Sequence, residues 1–323
     1  MNRFRPDTPA APLSFDLERI IRYGTAAIAK GVDFPTYLAR MAVVLPGVFI
    51  GEAENAAEAE HGRRVVGIFA RDVWKHCPHP AHGYAPAPLE AIAPNAACHC
   101  GSGLKYRDCC QPIEAHMPGI AINWLTHFIE HLPRTRWKDL PGSRIPAEMM
   151  IDLAFTWQKA ARYKDIASLL EPWFVDDAYL RQPYGPLQDL LIEAWGQLGK
   201  RKRRNDLIDR AIAHGDATSR SSALQHKATA LADAGDFTRA WDLFREAQRA
   251  TPDDPSLAHL EVILLISSDR EAEARERARF WIARIARRKE PRLQGLLELL
   301  RGVVEQGGVA LDDFAEQGDE GNL

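Results

Sequence analysis

The chain is poor in cysteine, with five in 323 residues, and these are not spread as a disulfide framework would need. It lacks any run approaching the ~18 consecutive apolar residues of a spanning helix. Its longest apolar stretch, MAVVLPGVFIG at 41–51, is short and broken by Pro46. It lacks a bulk excess of either charge. A net charge of -3 excludes polyanion binding by overall charge and leaves that role to local patches. No G-x-x-x-x-G-K-[ST] phosphate loop and no G-x-S-x-G nucleophile elbow occurs. Arg3 and Arg5 are followed by no apolar run, so the first residues do not read as a secretory signal. A cytoplasmic location follows as the expectation, and with it reduced thiols.

What is present is an ordinary globular composition, 46% hydrophobic and 26% charged, in a length that suits two or three domains. Residues 1–13, rich in Pro and Ala, read as a flexible arm. From Ser14, a candidate cap, Leu17, Ile20, Ile21 and Ile28 share one helical face. A second helix is predicted after Asp33-Phe34-Pro35. A third, over 62–76, carries Val65, Val66, Ile68, Phe69, Val73 and Trp74. Residues 77–94 are dense in proline and read as an extended linker. A helix is expected again over 119–132.

Beyond residue 146 the pattern becomes that of helical hairpins. The clearest is SSALQHKATALADAGDFTRAWDLFREAQRATPDDP, 221–255. Gly235 suits the turn, Ala240 is small enough for close helix approach, and Phe244 and Ala247 point inward. Asp254 and Pro255 suit the start of the next helix. Ala240, Phe244 and Pro252 fill the A-x3-F…P segment of the tetratricopeptide signature, so this stretch resembles that repeat. Leu224, Lys227, Ala228 and Leu231 stand where the family has Trp, Leu, Gly and Tyr. Neighbouring units on the same frame start near 147, 185 and 255. They offer Ile208 and Ala211, or Ala274 and Trp281, on their second helices. The competing reading is a generic helical bundle. Stacked hairpins would give a surface for protein partners.

Four of the five cysteines fall in ACHCGSGLKYRDCC, 97–110, as C-x-C-(x8)-C-C. Disulfides between Cys109 and Cys110, or Cys98 and Cys100, would be strained. A metal fits better. Cys98 and Cys100 fall on one side of an extended segment, Gly101-Ser102-Gly103 turns the chain, and Cys109 and Cys110 complete a tetrahedron. Lys105 and Arg107 are placed to offset thiolate charge. Four sulfurs fill the shell of Zn2+, which marks a structural site, with iron as the chemical alternative.

The stretch NAACHCGSGLKYRDCC resembles the SEC-C motif, a small metal-binding module found at the C-terminus of the SecA preprotein translocase ATPase and in many bacterial proteins. The resemblance rests on Asn95, Cys98, Cys100, Gly101, Ser102, Gly103, Lys105, Tyr106, Arg107, Cys109 and Cys110. His99 replaces the usual proline. The resemblance implies that the four cysteines are the ligands, and that Lys105, Tyr106 and Arg107, with His99 beside them, form a docking face. In SecA the module docks the chaperone SecB and is linked to ribosome and phospholipid contacts. The partner expected here is therefore a protein, a nascent chain, a ribosome or a secretion or chaperone component.

Two other groupings carry weaker chemistry. His76, Cys77, His79 and His82 could form a second metal site or relay, or a solvated linker; Cys77 could also replace one of the four ligands. Lys200, Arg201, Lys202, Arg203 and Arg204 could contact phosphate of RNA or anionic lipid, or sit in a solvated turn. A second basic run spans Arg284 to Arg292. No grouping supports an enzyme.

The expected fold is mostly α. A helical N-terminal region (14–76) and the Pro-rich linker (77–94) lead to a small central zinc knuckle (95–113). A connecting helix and loop (114–146), a C-terminal α-solenoid of tetratricopeptide-like hairpins (147–310) and an acidic disordered tail (311–323) follow. The expected function is that of a metal-binding adaptor, with zinc or iron handling as the alternative.

Overall fold

The structure is a computed structural model that describes residues 17–44, 56–116 and 122–308. The arm at 1–13, the cap at Ser14, Pro46 and the acidic tail at 311–323 lie outside the described residues. The fold is mostly α. Among the described residues no strand occurs, only two isolated bridges, Pro78 with Pro86 and Ala97 with Lys105. The chain divides into two compact units between Leu153 and Ala154.

The first unit opens with three helices, α1 (Leu17–Ala29), α2 (Phe34–Val44) and α3 (Ala56–His76). The apolar face of α1 buries Ile20, Ile21 and Ile28, as its spacing predicts. α3 packs on both partners and begins before the expected residue 62. Gly24 permits this close approach. A Cβ there would come within 2.9 Å of both the Tyr37 hydroxyl and a Val73 methyl. Tyr37 is fully buried and its hydroxyl donates to the Ala70 carbonyl at 2.8 Å, so the ring is buried with its polar end satisfied.

Residues 77–87 differ from the extended, solvated linker expected of them. Cys77, His79, Tyr84 and Ala87 are buried. A 3-10 turn, Pro80–His82, and left-handed Gly83 (φ 62°) close the segment into a loop. The His79 carbonyl accepts from the His82 and Tyr84 amides, and the His79 amide donates to the Ala85 carbonyl. Proline removed donors here but did not prevent folding back, because the neighbouring side chains are large and apolar enough to bury.

His79 also ties the loop to α3, its Nε2 lying 2.7 Å from the Trp74 carbonyl. Burial lowers the imidazole pKa below its ordinary value, against the pull of that carbonyl. The fold therefore favours neutral His79. Its contribution is full above about pH 6.5 and is lost as pH falls, because the unfolded chain takes up the proton first. Wild type should lose at most about 1.4 kcal/mol of stability per pH unit through this group. Urea midpoints at acid and neutral pH should show a shallower slope in His79→Phe; an unchanged slope would remove His79 from the pH dependence.

The unit continues through a 3-10 turn (Tyr106–Asp108), α4 (Gln111–Glu114), α5 (Trp124–Ile129), a 3-10 segment (Arg134–Asp139) and the start of α6 (Ala147–Lys159). Of the helix expected over 119–132, residues 119–121 lie outside the described residues and α5 covers Trp124–Ile129. Asn123 caps it, accepting from the Leu125 amide at 3.1 Å.

The second unit is a stack of hairpins. α7 (Tyr163–Leu170) passes through two 3-10 turns, Glu171–Val175 and Asp177–Tyr179, into α8 (Gly185–Gln197). Then come α9 (Arg201–His214), α10 (Ala217–Asp233), α11 (Phe237–Ala250), α12 (Ser256–Ser267), α13 (Glu271–Ile285) and α14 (Gln294–Gln306). Each helix packs on the next, and α8, α10 and α12 also touch in a row, which is solenoid packing. Leu224 and Ala228 of α10 meet Ala240, Phe244 and Ala247 of α11 in the core. Gly235 takes φ 80° at the turn and Asp236 caps α11. α10 starts at 217 rather than 221 because Asp216 caps it through the Ser219 amide at 2.8 Å. Asp254 does not itself open α12; Pro255 takes that place, and Asp254 accepts from the Ser256 amide at 2.9 Å.

Candidate metal centre

The cysteine segment builds itself from a very short hairpin. The Cys98 amide donates to the Leu104 carbonyl at 2.8 Å, and the Tyr106 amide to Ala96 at 2.9 Å. Gly101 (φ 78°) and Gly103 (φ 76°) supply the reversal, in a backbone region that side chains rarely adopt. The 3-10 turn at Tyr106–Asp108 then swings Cys109 and Cys110 under Cys98 and Cys100. Cys110 sits at the N-cap of α4.

The four Sγ atoms all lie within 4.8 Å of one another and none is in a disulfide. A tetrahedral ion with Zn–S bonds of about 2.3 Å would hold its sulfurs about 3.8 Å apart. The Cys100 and Cys109 sulfurs are 3.4 Å apart. Donor type, number and size therefore fit a closed tetrahedral ion such as zinc. When bound, such an ion would serve as a structural clamp.

Electrostatics divide the four thiols. Burial pushes the Cys109 and Cys110 thiols up. Burial acts on Cys100 too, but hydrogen bonds from the Ser102 hydroxyl and amide, and from the Cys109 and Cys98 thiols, outweigh it and bring Cys100 down to about 7. Ser102 Oγ also lies 3.2 Å from the Cys109 sulfur. It thus supports two ligands from outside the shell. Ser102→Ala should weaken zinc affinity by about ten-fold or more, read by competition with a chromophoric chelator. Unchanged affinity would make the serine a turn residue only.

The centre is seated on α3. Ile68 packs against Cys98, Cys109 and Cys110, with Tyr106 and Ile113 alongside. A Cβ at Gly67 would stand 3.8 Å from the Cys100 Cβ and 3.9 Å from the His99 ring. Arg64, paired with Glu60, has its pKa raised by that bond and further by the Cys109 and Cys100 charges. The cation close to the sulfurs is thus Arg64 of α3. Lys105 is exposed, and Arg107 is exposed and paired with Asp108 at 3.4 Å. Sequence reasoning missed Arg64 because it lies more than thirty residues upstream; its one signal is its place one helical turn before Ile68.

Residues 95–112 match the family model of the SEC-C motif. The SEC-C match covers a small part of the chain, and no curated protein matches the chain. No family match supports the tetratricopeptide likeness of the hairpins.

The remaining candidate residues fall as follows. His99, expected on the docking face of the SEC-C module, is half-buried against α3. Burial and the Arg71 charge push its imidazole down to about 4, and its Nε2 has no hydrogen-bond partner. Tyr106 is also half-buried, its ring centroid 6.0 Å from that of His99 and its hydroxyl donating to Glu114. Leu104, 44% exposed, joins Lys105 and Arg107 on the outer side of the hairpin. His76 pairs with Asp72 at 3.1 Å, Cys77 is fully buried, and the His79 and His82 rings are 5.9 Å apart. Among the described residues the four SEC-C cysteines are the one group of three or more that could hold a metal, so the structure does not converge His76, Cys77, His79 and His82. Lys200 occupies the N-cap position of α9 without a side-chain capping bond, and Arg201, Lys202, Arg203 and Arg204 form its first turn; Arg203 reaches Glu171 at 2.6 Å. In the second basic run, Arg284 pairs with Asp253 and Arg288 with the Asp253 carbonyl. Among the described residues no helix is long and apolar enough to cross a membrane.

Proposed function

We propose that this chain is a metal-binding adaptor, not an enzyme, that works in the cytoplasm and docks a protein partner, a nascent chain or a ribosome through its SEC-C module and its helical-repeat surface. The observation that carries the reading is the two-sidedness of the hairpin. Four sulfurs converge on its inner side, enough to fill a tetrahedral shell, while Leu104, Lys105 and Arg107 face outward. A filled shell leaves no position for substrate, so the ion's work is to hold that outer face rigid. An exposed leucine followed by two exposed basic residues suits a partner with apolar and acidic groups. The basic first turn of α9 would add a salt-sensitive phosphate contact if the partner carries RNA.

The test is co-sedimentation with ribosomes and capture of translocation and chaperone components by three forms of the full chain. These are wild type, Cys109→Ser/Cys110→Ser, and Leu104→Glu/Lys105→Glu with metal content intact. Binding lost in both variants is the expected result. Equal recovery by all three would remove the SEC-C module from docking.

The second reading is zinc or iron handling, and one observation favours it: Cys100 is the one ligand that is not buried. Exchange of metal within minutes, at chelator concentrations that leave the helices folded, would support it.

A further inference from the structure

Cys98, Cys109 and Cys110 are buried, whereas the Cys100 side chain lines an open cleft of about 420 Å³. The other walls are Glu60, Arg63 and Arg64 of α3 and Gly101 and Ser102 of the hairpin. The cleft is far larger than a peroxide molecule, and its arginines and hydroxyl offer hydrogen bonds to a small polar oxidant. Behind the Cys100 sulfur, at 3.4 Å and buried, is the Cys109 sulfur. The other adjacent pairings are poor: Cys109 and Cys110 are neighbours in sequence, and Cys98 and Cys100 would close a very small ring.

We propose that Cys100 is the oxidation site of the metal centre, oxidised by a hydroperoxide entering this cleft and resolved by Cys109 into a disulfide that removes both sulfurs from the ligand set. In the first step the Cys100 thiolate attacks one peroxide oxygen. The S–O bond forms, the O–O bond breaks, and hydroxide leaves, to be neutralised by a proton from the buffer. Sulfur loses two electrons, becoming a sulfenic acid, and the peroxide gains them. In the second step the Cys109 thiolate attacks the Cys100 sulfur. The S–S bond forms, the S–O bond breaks, and a second hydroxide leaves. The sulfurs must close from 3.4 Å to about 2.05 Å, a movement within reach of side-chain rotation. Cys98 and Cys110 then remain as two of the four sulfurs a tetrahedral shell needs.

The inference goes beyond docking and rests on the metal centre. It is tested on the full zinc-loaded chain with hydrogen peroxide, following zinc release with a chromogenic chelator and mapping disulfides by mass spectrometry. About one zinc should be released per peroxide consumed. The disulfide should join Cys100 to Cys109, with Cys77 untouched, and dithiothreitol with zinc should restore the starting state. Limiting iodoacetamide should label Cys100 at least about ten-fold faster than the other three ligands. Zinc retained through on the order of 100-fold excess peroxide, a different cysteine pair, or even labelling would each overturn the proposal. Metal content measured first separates the two readings. A chain without metal overturns the centre and this inference together, whereas a loaded chain that resists peroxide overturns this inference alone.

Discussion

Stripping the metal, or replacing Cys109 and Cys110 by serine, is expected to unfold residues 95–113 while α7 to α14 stay folded. The segment has almost no core of its own. Apart from the cysteines, its apolar contacts are Ile68, Tyr106 and Ile113, and burying one such side chain stabilises by about 1.5–3 kcal/mol. A structural zinc in a small module contributes about 10–16 kcal/mol near neutral pH, so the ion dominates the local balance. Metal content should fall from one per chain to less than about a tenth of that in the double variant. Exchange protection should vanish at the Cys98 and Tyr106 amides, which close the hairpin onto Leu104 and Ala96. Helical circular dichroism should hardly change, because the segment holds one four-residue helix. Acid acts in the same direction. Burial holds the Cys109 and Cys110 thiols up, so each must give up a proton to bind, and affinity rises with pH. If the two amides stay protected after complete metal removal, the hairpin is a folded unit without its ion and this account fails.

The centre was legible in the sequence because everything that builds it is local. Two glycines fix the reversal and eight residues separate Cys100 from Cys109, so ligand spacing alone brings four sulfurs together. Its seat was not legible. Gly67, Ile68 and Arg64 meet the hairpin only after α3 folds back on it, and nothing in C-x-C-(x8)-C-C refers to a helix thirty residues earlier. The same tertiary contact moved His99 from a presumed surface to the α3 interface. The repeats were legible where a small residue and an aromatic recur at helical spacing, as at Ala240 and Phe244. The boundaries shifted where a cap overrode the apolar pattern, as at Asp216 and Asn123. The 77–87 loop was misread because proline density was weighed above the buried bulk of Cys77, His79 and Tyr84.

Glu261→Ala is expected to cost about 2–3 kcal/mol in the hairpin stack, an effect that the sequence SLAHLEVILLIS conceals within an otherwise apolar helix. Leu257, Ala258, Leu260, Val262, Leu264 and Leu265 are buried around α12. Glu261 is buried with them, its side chain 9% exposed. It is held from α13 by Arg277, which donates to both carboxylate oxygens at 2.7 and 3.0 Å, and by the Trp281 indole N–H at 2.6 Å. Arg277 and Trp281 lie one turn apart on α13, so one carboxylate fixes the register of two helices. Removing it strands the buried Trp281 indole N–H and leaves the Arg277 guanidinium, 32% exposed, to water, so the indole supplies most of the cost. Glu261→Gln keeps an acceptor for Trp281 and should lose less. Exchanging the network, Glu261→Leu with Arg277→Met and Trp281→Phe, removes the unpaired indole N–H and the unpaired cation together and should recover most of the stability. Exchange rates of α12 to α14 amides give the local stability free of the first unit's unfolding. A loss below about 1 kcal/mol in Glu261→Ala would mean that water also reaches the Trp281 indole and that the carboxylate is a surface ion pair in effect. Recovery in the triple variant, with the single variant strongly destabilised, would assign the network to register between α12 and α13 rather than to net stability.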